Sequence, residues 1–256
     1  MCVRLGDDVA NVKDLRVKLF ADGAEIEVIK TMAANPLIKG FTTNPTLMRK
    51  AGISDYVTFA RDVLRVVPNL PISFEVFSDD FAEMELQALE IASWGSNVFV
   101  KIPITNTRGE SAAPLVARLA QADVQLNVTA ILTEAQVAEI AGVLSPKTAC
   151  FVSVFAGRIA DTGCDPLPII ANSLKHLRDL PLAEMIWASP RELLNVFQAD
   201  EVGCHVITAT ADVLNKLSLV GKDLTTYSLE TVEMFHKDAV AAGFTIPVSA
   251  PVRGGA

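Results

Sequence analysis

Asn97-Val98-Phe99-Val100-Lys101-Ile102-Pro103 reads as a short strand with one lysine set inside it and a proline closing it. Alternation along an extended backbone puts Asn97, Phe99 and Lys101 on one face and Val98, Val100 and Ile102 on the other. A lysine in such a run cannot easily reach water, and burial favours its neutral amine. A neutral amine is a nucleophile toward carbonyls, the entry to Schiff-base chemistry. The competing reading is a strand-end lysine paired with a carboxylate, because ionic networks also perturb lysines.

Outward from this run, strand-like and helix-like stretches alternate from end to end. Strands are predicted over Val17–Ala21, Ile38–Thr42, Ile72–Phe77, Val98–Ile102, Gln125–Ala130, Ala149–Phe155, Glu184–Ala188 and His205–Thr208. Amphipathic stretches lie between them at Ala24–Ala34, Tyr56–Val66, Asp80–Trp94, Glu110–Ala122, Glu134–Val143, Pro166–Arg178, Pro190–Phe197 and Ala211–Leu217. Strands alternating with helices mean a parallel sheet, and eight such units suggest closure into an α/β (β/α)8 TIM barrel. An open doubly wound sheet is the alternative, but no GxGxxG follows the first strand, so the barrel is preferred. After a polar link at Lys222–Ser228, residues 229–242 add a C-terminal helix. No Pro/Gly/Ser-rich linker divides the chain, so residues 1–256 read as one domain, with 251–256 as a disordered tail.

The 256 residues suit a barrel of this kind, and half of them are hydrophobic, enough for a large core. Apolar runs are strand-length and broken by charge, which argues against a membrane span. The first residues carry no apolar segment followed by a small-residue cleavage site, so a cytoplasmic location is expected. A net charge of −8 disfavours a nucleic-acid or anionic-membrane surface, so an anionic substrate would need a local cluster of Arg and Lys. Cys2, Cys150, Cys164 and Cys204 are scattered and read as reduced thiols, mostly small core residues. His176, His205 and His236 are far apart in sequence, and no metal site or cofactor is expected.

In a (β/α)8 barrel the chemistry sits where the strands end. The successive strands deliver Asp22, then Thr42-Thr43-Asn44-Pro45-Thr46, then Glu75, then Lys101. The remaining four deliver Asn127 with Thr129; Ser153, Phe155 and Arg158; Ser189 and Arg191; and Thr208 with Thr210. Each has a plainer reading alone. Asp22 before Gly23 could be a turn or cap residue, and Thr43-Asn44-Pro45 an ordinary turn with a helix-starting proline. Asn127 and Thr129 could satisfy each other, and the arginines could be surface charges. Glu75 resists this, because an inward Glu on a short apolar strand needs a partner or a job. Together they set one Lys, two carboxylates, hydroxyl-binding groups and two arginines on one rim, a set suited to Schiff-base chemistry on a phosphorylated polyol.

These residues carry a family resemblance. The chain resembles transaldolases, in particular the short transaldolase and fructose-6-phosphate aldolase branch, from about Val17 to Phe244. The blocks are Gly40-Phe41-Thr42-Thr43-Asn44-Pro45-Thr46-Leu47, Val98–Pro103, Leu126-Asn127-Val128-Thr129-Ala130-Ile131, Val152–Asp161, Ala188-Ser189-Pro190-Arg191 and Thr231–Ala239. The resemblance implies that Lys101 forms the Schiff base and that Asp22 is the acid/base at the C4 hydroxyl. Glu75 and Thr129 would position a water for proton shuttling. Asn44 and Asn127 would bind the dihydroxyacetone part, with Thr42, Ser153 and Phe155 beside it. Arg158, Ser189 and Arg191 would hold the phosphate, since the planar guanidinium fork fits phosphate oxygens. Glu75 and Phe155 stand where the aldolase branch carries Gln and Tyr, which points to transaldolase. Gly23, where the family usually has Thr or Ser, and Pro190, where it has Phe, depart from the pattern.

The resemblance thus implies transfer of a dihydroxyacetone unit from fructose 6-phosphate or sedoheptulose 7-phosphate to an aldose phosphate, without a cofactor. It also implies a homo-oligomer, a decamer in the short branch, with the last helix packing on a neighbouring subunit. Other readings stay open: an aldolase releasing free dihydroxyacetone, a transaldolase of a secondary sugar pathway, a metal-dependent aldolase or isomerase, and a non-catalytic sugar-phosphate-binding protein.

Overall fold

The computed structural model describes residues 4–5, 8–9 and 11–248, so Cys2 and the expected tail at 251–256 lie outside the described residues. Eight parallel strands close into a barrel. They are β1 (Lys18–Asp22), β2 (Ile38–Thr42), β3 (Ile72–Glu75), β4 (Val98–Pro103), β5 (Leu126–Ile131), β6 (Cys150–Val154), β7 (Ala183–Trp187) and β8 (Val206–Thr210). β8 pairs with β1, Val206 against Lys18 through Thr210 against Asp22, and so shuts the ring. The helices of this unit are α1 (Ile26–Ala33), α2 (Pro45–Lys50), α3 (Tyr56–Val66), α4 (Phe81–Ala92), α5 (Ala113–Gln121), α6 (Glu134–Ala141), α7 (Ala156–Asp161), α8 (Leu167–His176), α9 (Leu194–Glu201) and α10 (Ala211–Leu214). All eight expected strands form; two short helices, α2 and α7, come in addition to those expected. Both start directly after a strand end, where a six-residue helix leaves no amphipathic period to read.

Strand alternation sorts the core into two layers. Val98, Val100 and Ile102 of β4 point outward into the large cluster between sheet and helices. Phe99 points inward, with Phe20, Phe151, Ile186, Ala188 and Val206. The Phe20 and Phe151 rings meet edge to face at 5.4 Å, and Phe99 lies 4.3 Å from Phe151. Gly40 makes room for this plug, because an added Cβ there would sit 2.4 Å from the Phe20 ring. Two residues further along each strand the same inward face carries Asp22, Thr42, Lys101, Ser153 and Thr208. The barrel interior therefore changes from aromatic to polar within one pleat repeat, and the polar layer faces the C-terminal mouth. Asn97 falls just before β4 and serves the loops instead, donating to the Val67 and Leu70 carbonyls at 2.8 Å.

A second unit begins at Leu219 and contains α11 (Leu224–Ala241). The sequence pattern places the start of this helix at residue 229, behind a polar link. Asp223 corrects that: its carboxylate accepts from the Thr226 N–H at 2.8 Å and caps the helix at Leu224, overriding the weak helix preference of Thr225 and Thr226. Among the described residues, no helix is long and apolar enough to cross a membrane.

Candidate active site

Lys101 is 6% exposed, at the floor of the C-terminal mouth. Its Nζ donates to the Thr43 carbonyl at 3.0 Å and lies 3.2 Å from Oε2 of Glu75. Strand register brings the two side chains together, since Glu75 on β3 pairs directly with Lys101 on β4. The pairing that a purely structural lysine would show is therefore present; what sets this one apart is that the pair opens into a polar cleft.

Asp22, at the end of β1, is the second carboxylate of that cleft. Its Oδ1 accepts from the Thr42 hydroxyl at 2.8 Å, and its Oδ2 has only a long contact, 3.4 Å, to the Asn44 amide. Burial pushes the Asp22 carboxyl above the ordinary carboxylate range. The positive charge of Lys101 and the Thr42 hydrogen bond oppose that rise, and the negative charge of Glu75 adds to it. Asn44 does double duty: its Oδ1 also accepts from the Leu47 N–H at 3.0 Å, capping α2 with Pro45 as the first helical residue.

Asn127 is fully buried beneath the cleft and is not part of its lining. Its Nδ2 donates to Ser73 Oγ at 2.8 Å, and its Oδ1 accepts from Ser153 Oγ at 2.7 Å. Thr129 lines the cleft at an irregularity of β5, where the register with β6 shifts and Ala130 adopts φ +62°. Its buried hydroxyl has no partner among the described residues.

The rim beyond is cationic. Arg158, on the first turn of α7, stands 5.6 Å over the Phe155 ring. Arg191 holds Asp161 with its fork, Nε to Oδ1 at 2.9 Å and a second, shorter bond to Oδ2. Arg191 in turn holds the Asp161 carboxyl below its ordinary range. Between the arginines, Ser189 has φ +60°, and the Gly157 amide donates to the Ala188 carbonyl at 3.3 Å.

One cleft of about 740 Å3 is lined by eleven of the twelve residues to which the resemblance gives a role: Asp22, Thr42, Asn44, Glu75, Lys101, Thr129, Ser153, Phe155, Arg158, Ser189 and Arg191. Asn127 supports it from below. Sequence reasoning did not assign Lys50 or Asp212, which also line the cleft, nor Ser73 and Asp161. Ser73 was legible, two residues before Glu75 on the same strand face; the Asp161–Arg191 pair joins residues on different βα units and carries no local signal.

Comparison with known proteins identifies a family. The family model described as Transaldolase/Fructose-6-phosphate aldolase matches residues 19–246. A "Probable transaldolase" of Dehalococcoides mccartyi is 34% identical over 204 residues, 78% of this chain and 90% of that protein. Another of Thermoanaerobacter sp. is 34% identical over 233 residues, 90% of this chain and all of that protein. A "Probable transaldolase 2" of Listeria monocytogenes is 34% identical over 203 residues, 78% of this chain and 88% of that protein. With the family's match spanning the barrel and its mouth, the chain belongs to the transaldolase/fructose-6-phosphate aldolase family of enzymes.

Proposed function

We propose that this protein is a transaldolase that carries a dihydroxyacetone unit on Lys101, from fructose 6-phosphate or sedoheptulose 7-phosphate to an aldose phosphate. The observation that carries the reading is the buried Lys101 amine at the floor of a polar cleft, 3.2 Å from one carboxylate, with a second carboxylate of raised pKa in the same cleft. Glu75 takes a proton from Lys101, and the free amine attacks the keto carbon. Glu75 and Thr129, through a water, move the proton that lets the carbinol oxygen leave as water, giving the iminium. Asp22 then takes the C4 hydroxyl proton, the C3–C4 bond breaks, and its electron pair moves to the iminium nitrogen. An aldose phosphate departs, leaving a three-carbon enamine on Lys101. An acceptor aldehyde reverses the steps, with Asp22 returning its proton to the new hydroxyl. A carboxyl whose pKa is raised toward neutrality serves both directions better than an ordinary one.

Asn44 and Ser153 orient the three-carbon part, with Asn127 fixing Ser153 from below. Arg158, Ser189 and Arg191 hold the phosphate. Phe155 favours transfer over release of free dihydroxyacetone, because its ring has no hydroxyl to protonate the enamine. An assay with fructose 6-phosphate tests this choice. With a four-carbon aldose phosphate present, sedoheptulose 7-phosphate forms quickly, and without it dihydroxyacetone appears at least about tenfold more slowly. Equal rates would identify an aldolase instead.

We further propose that the enzyme works as a homo-oligomer in the cytoplasm, in which α11 packs on a neighbouring copy.

A further inference from the structure

Thr208, on β8, has no assigned part in the chemistry, yet its hydroxyl lies 2.6 Å from that of Thr42, and both residues are buried. Thr42 also donates to Asp22 Oδ1 at 2.8 Å. A hydroxyl has one proton to give. With Thr42's proton committed to the ionised carboxylate, the contact with Thr208 is made with Thr208's proton. The chain then runs Thr208 to Thr42 to Asp22, each link strengthening the next.

We propose that Thr208 is a positioning residue for Asp22: through Thr42 it locks Oδ1 and leaves Oδ2 as the oxygen that exchanges a proton with substrate. The long 3.4 Å contact from Asn44 is the other approach to Oδ2, consistent with an oxygen kept available. When Asp22 is protonated at Oδ2, the same two hydroxyls keep donating toward Oδ1, so the carboxyl need not rotate between the cleavage and addition steps. The inference rests on the reading of Asp22 as the acid/base.

The charged groups around Asp22 are Lys101 and Glu75 from β4 and β3, Lys50 at the end of α2, Asp212 beyond the end of β8, and Arg158 and Arg191 on the rim. Thr208→Val leaves all of them in place and removes only the donor. The carboxylate loses support and its pKa rises, so the limb of the kcat–pH profile in which rate climbs as Asp22 ionises moves to higher pH. Turnover below that limb falls about 2- to 10-fold, the worth of one hydrogen bond between neutral hydroxyls, while KM changes little. Thr208→Ser, which keeps the hydroxyl, restores the wild-type profile. Thr208→Ala deletes the same hydroxyl without altering volume upward and gives the same shift, so the test survives if the valine variant folds poorly.

The profiles are measured with fructose 6-phosphate and a four-carbon aldose phosphate, alongside Asp22→Asn. An Asp22→Asn enzyme that keeps wild-type turnover removes the acid/base reading itself. If Asp22→Asn is inactive but Thr208→Val and Thr208→Ala keep the wild-type limb, the role given to Thr208 is wrong while that of Asp22 stands. A lower kcat with an unmoved limb likewise overturns it, since a packing defect would do the same.

Discussion

At Gly157 an added Cβ would lie 1.6 Å from the Ser189 carbonyl oxygen and 3.3 Å from Arg191 Nε. No side chain fits there without pushing apart the two segments that carry the rim arginines. Ser189 is held at φ +60°, a conformation non-glycine residues adopt at a cost of about 1–3 kcal/mol when surrounding contacts enforce it. The close Gly157 contact is one of those contacts. Gly157→Ala is therefore expected to raise KM for fructose 6-phosphate at least about tenfold, with kcat less affected, and to lower Tm by several degrees. Steady-state kinetics and a thermal melt check it; wild-type KM and Tm together would show that the segments are not coupled. Gly23 differs in kind: an added Cβ there meets nothing, so the backbone does not demand glycine at that departure from the family pattern.

Among the elements, the strands were readable and the short helices were not. A strand of the barrel carries its own signal, because Val98-Phe99-Val100-Lys101-Ile102 alternates whatever surrounds it. The inward polar set was readable for the same reason, as Lys101 follows Phe99 and Asp22 follows Phe20 on one face. What could not be read depends on contacts between units: Glu75 beside Lys101, Thr208 beside Thr42, and Asp161 in the fork of Arg191. α11 belongs to this scale too. Leu224, Tyr227, Leu229, Val232, Met234, Phe235 and Val240 are all exposed on it, more large apolar surface than one helix leaves in water without reason. Packing of that helix on another copy predicts a mass by light scattering that is a multiple of the 27.4 kDa chain; a 27.4 kDa particle at micromolar concentration would contradict it.

On the scale of the molecule, a closed parallel barrel divides two tasks between its ends. Below the plug of Phe20, Phe99 and Phe151 the interior serves stability, with Lys18 and Glu184 paired and the His205 ring accepting from the Met185 amide at 2.9 Å. Above it, every strand end turns a polar residue toward one cleft. The net charge of −8 makes the arginine-bearing rim a local exception, suited to drawing in an anionic substrate. In the proposed reaction the amine at the cleft floor becomes covalently attached to a ketose carbon. Incubation with fructose 6-phosphate, reduction with borohydride and peptide mass spectrometry test it most directly. A reduced three-carbon adduct is expected on Lys101, abolished in Lys101→Arg. A folded protein that leaves Lys101 unmodified with both fructose 6-phosphate and sedoheptulose 7-phosphate would contradict it.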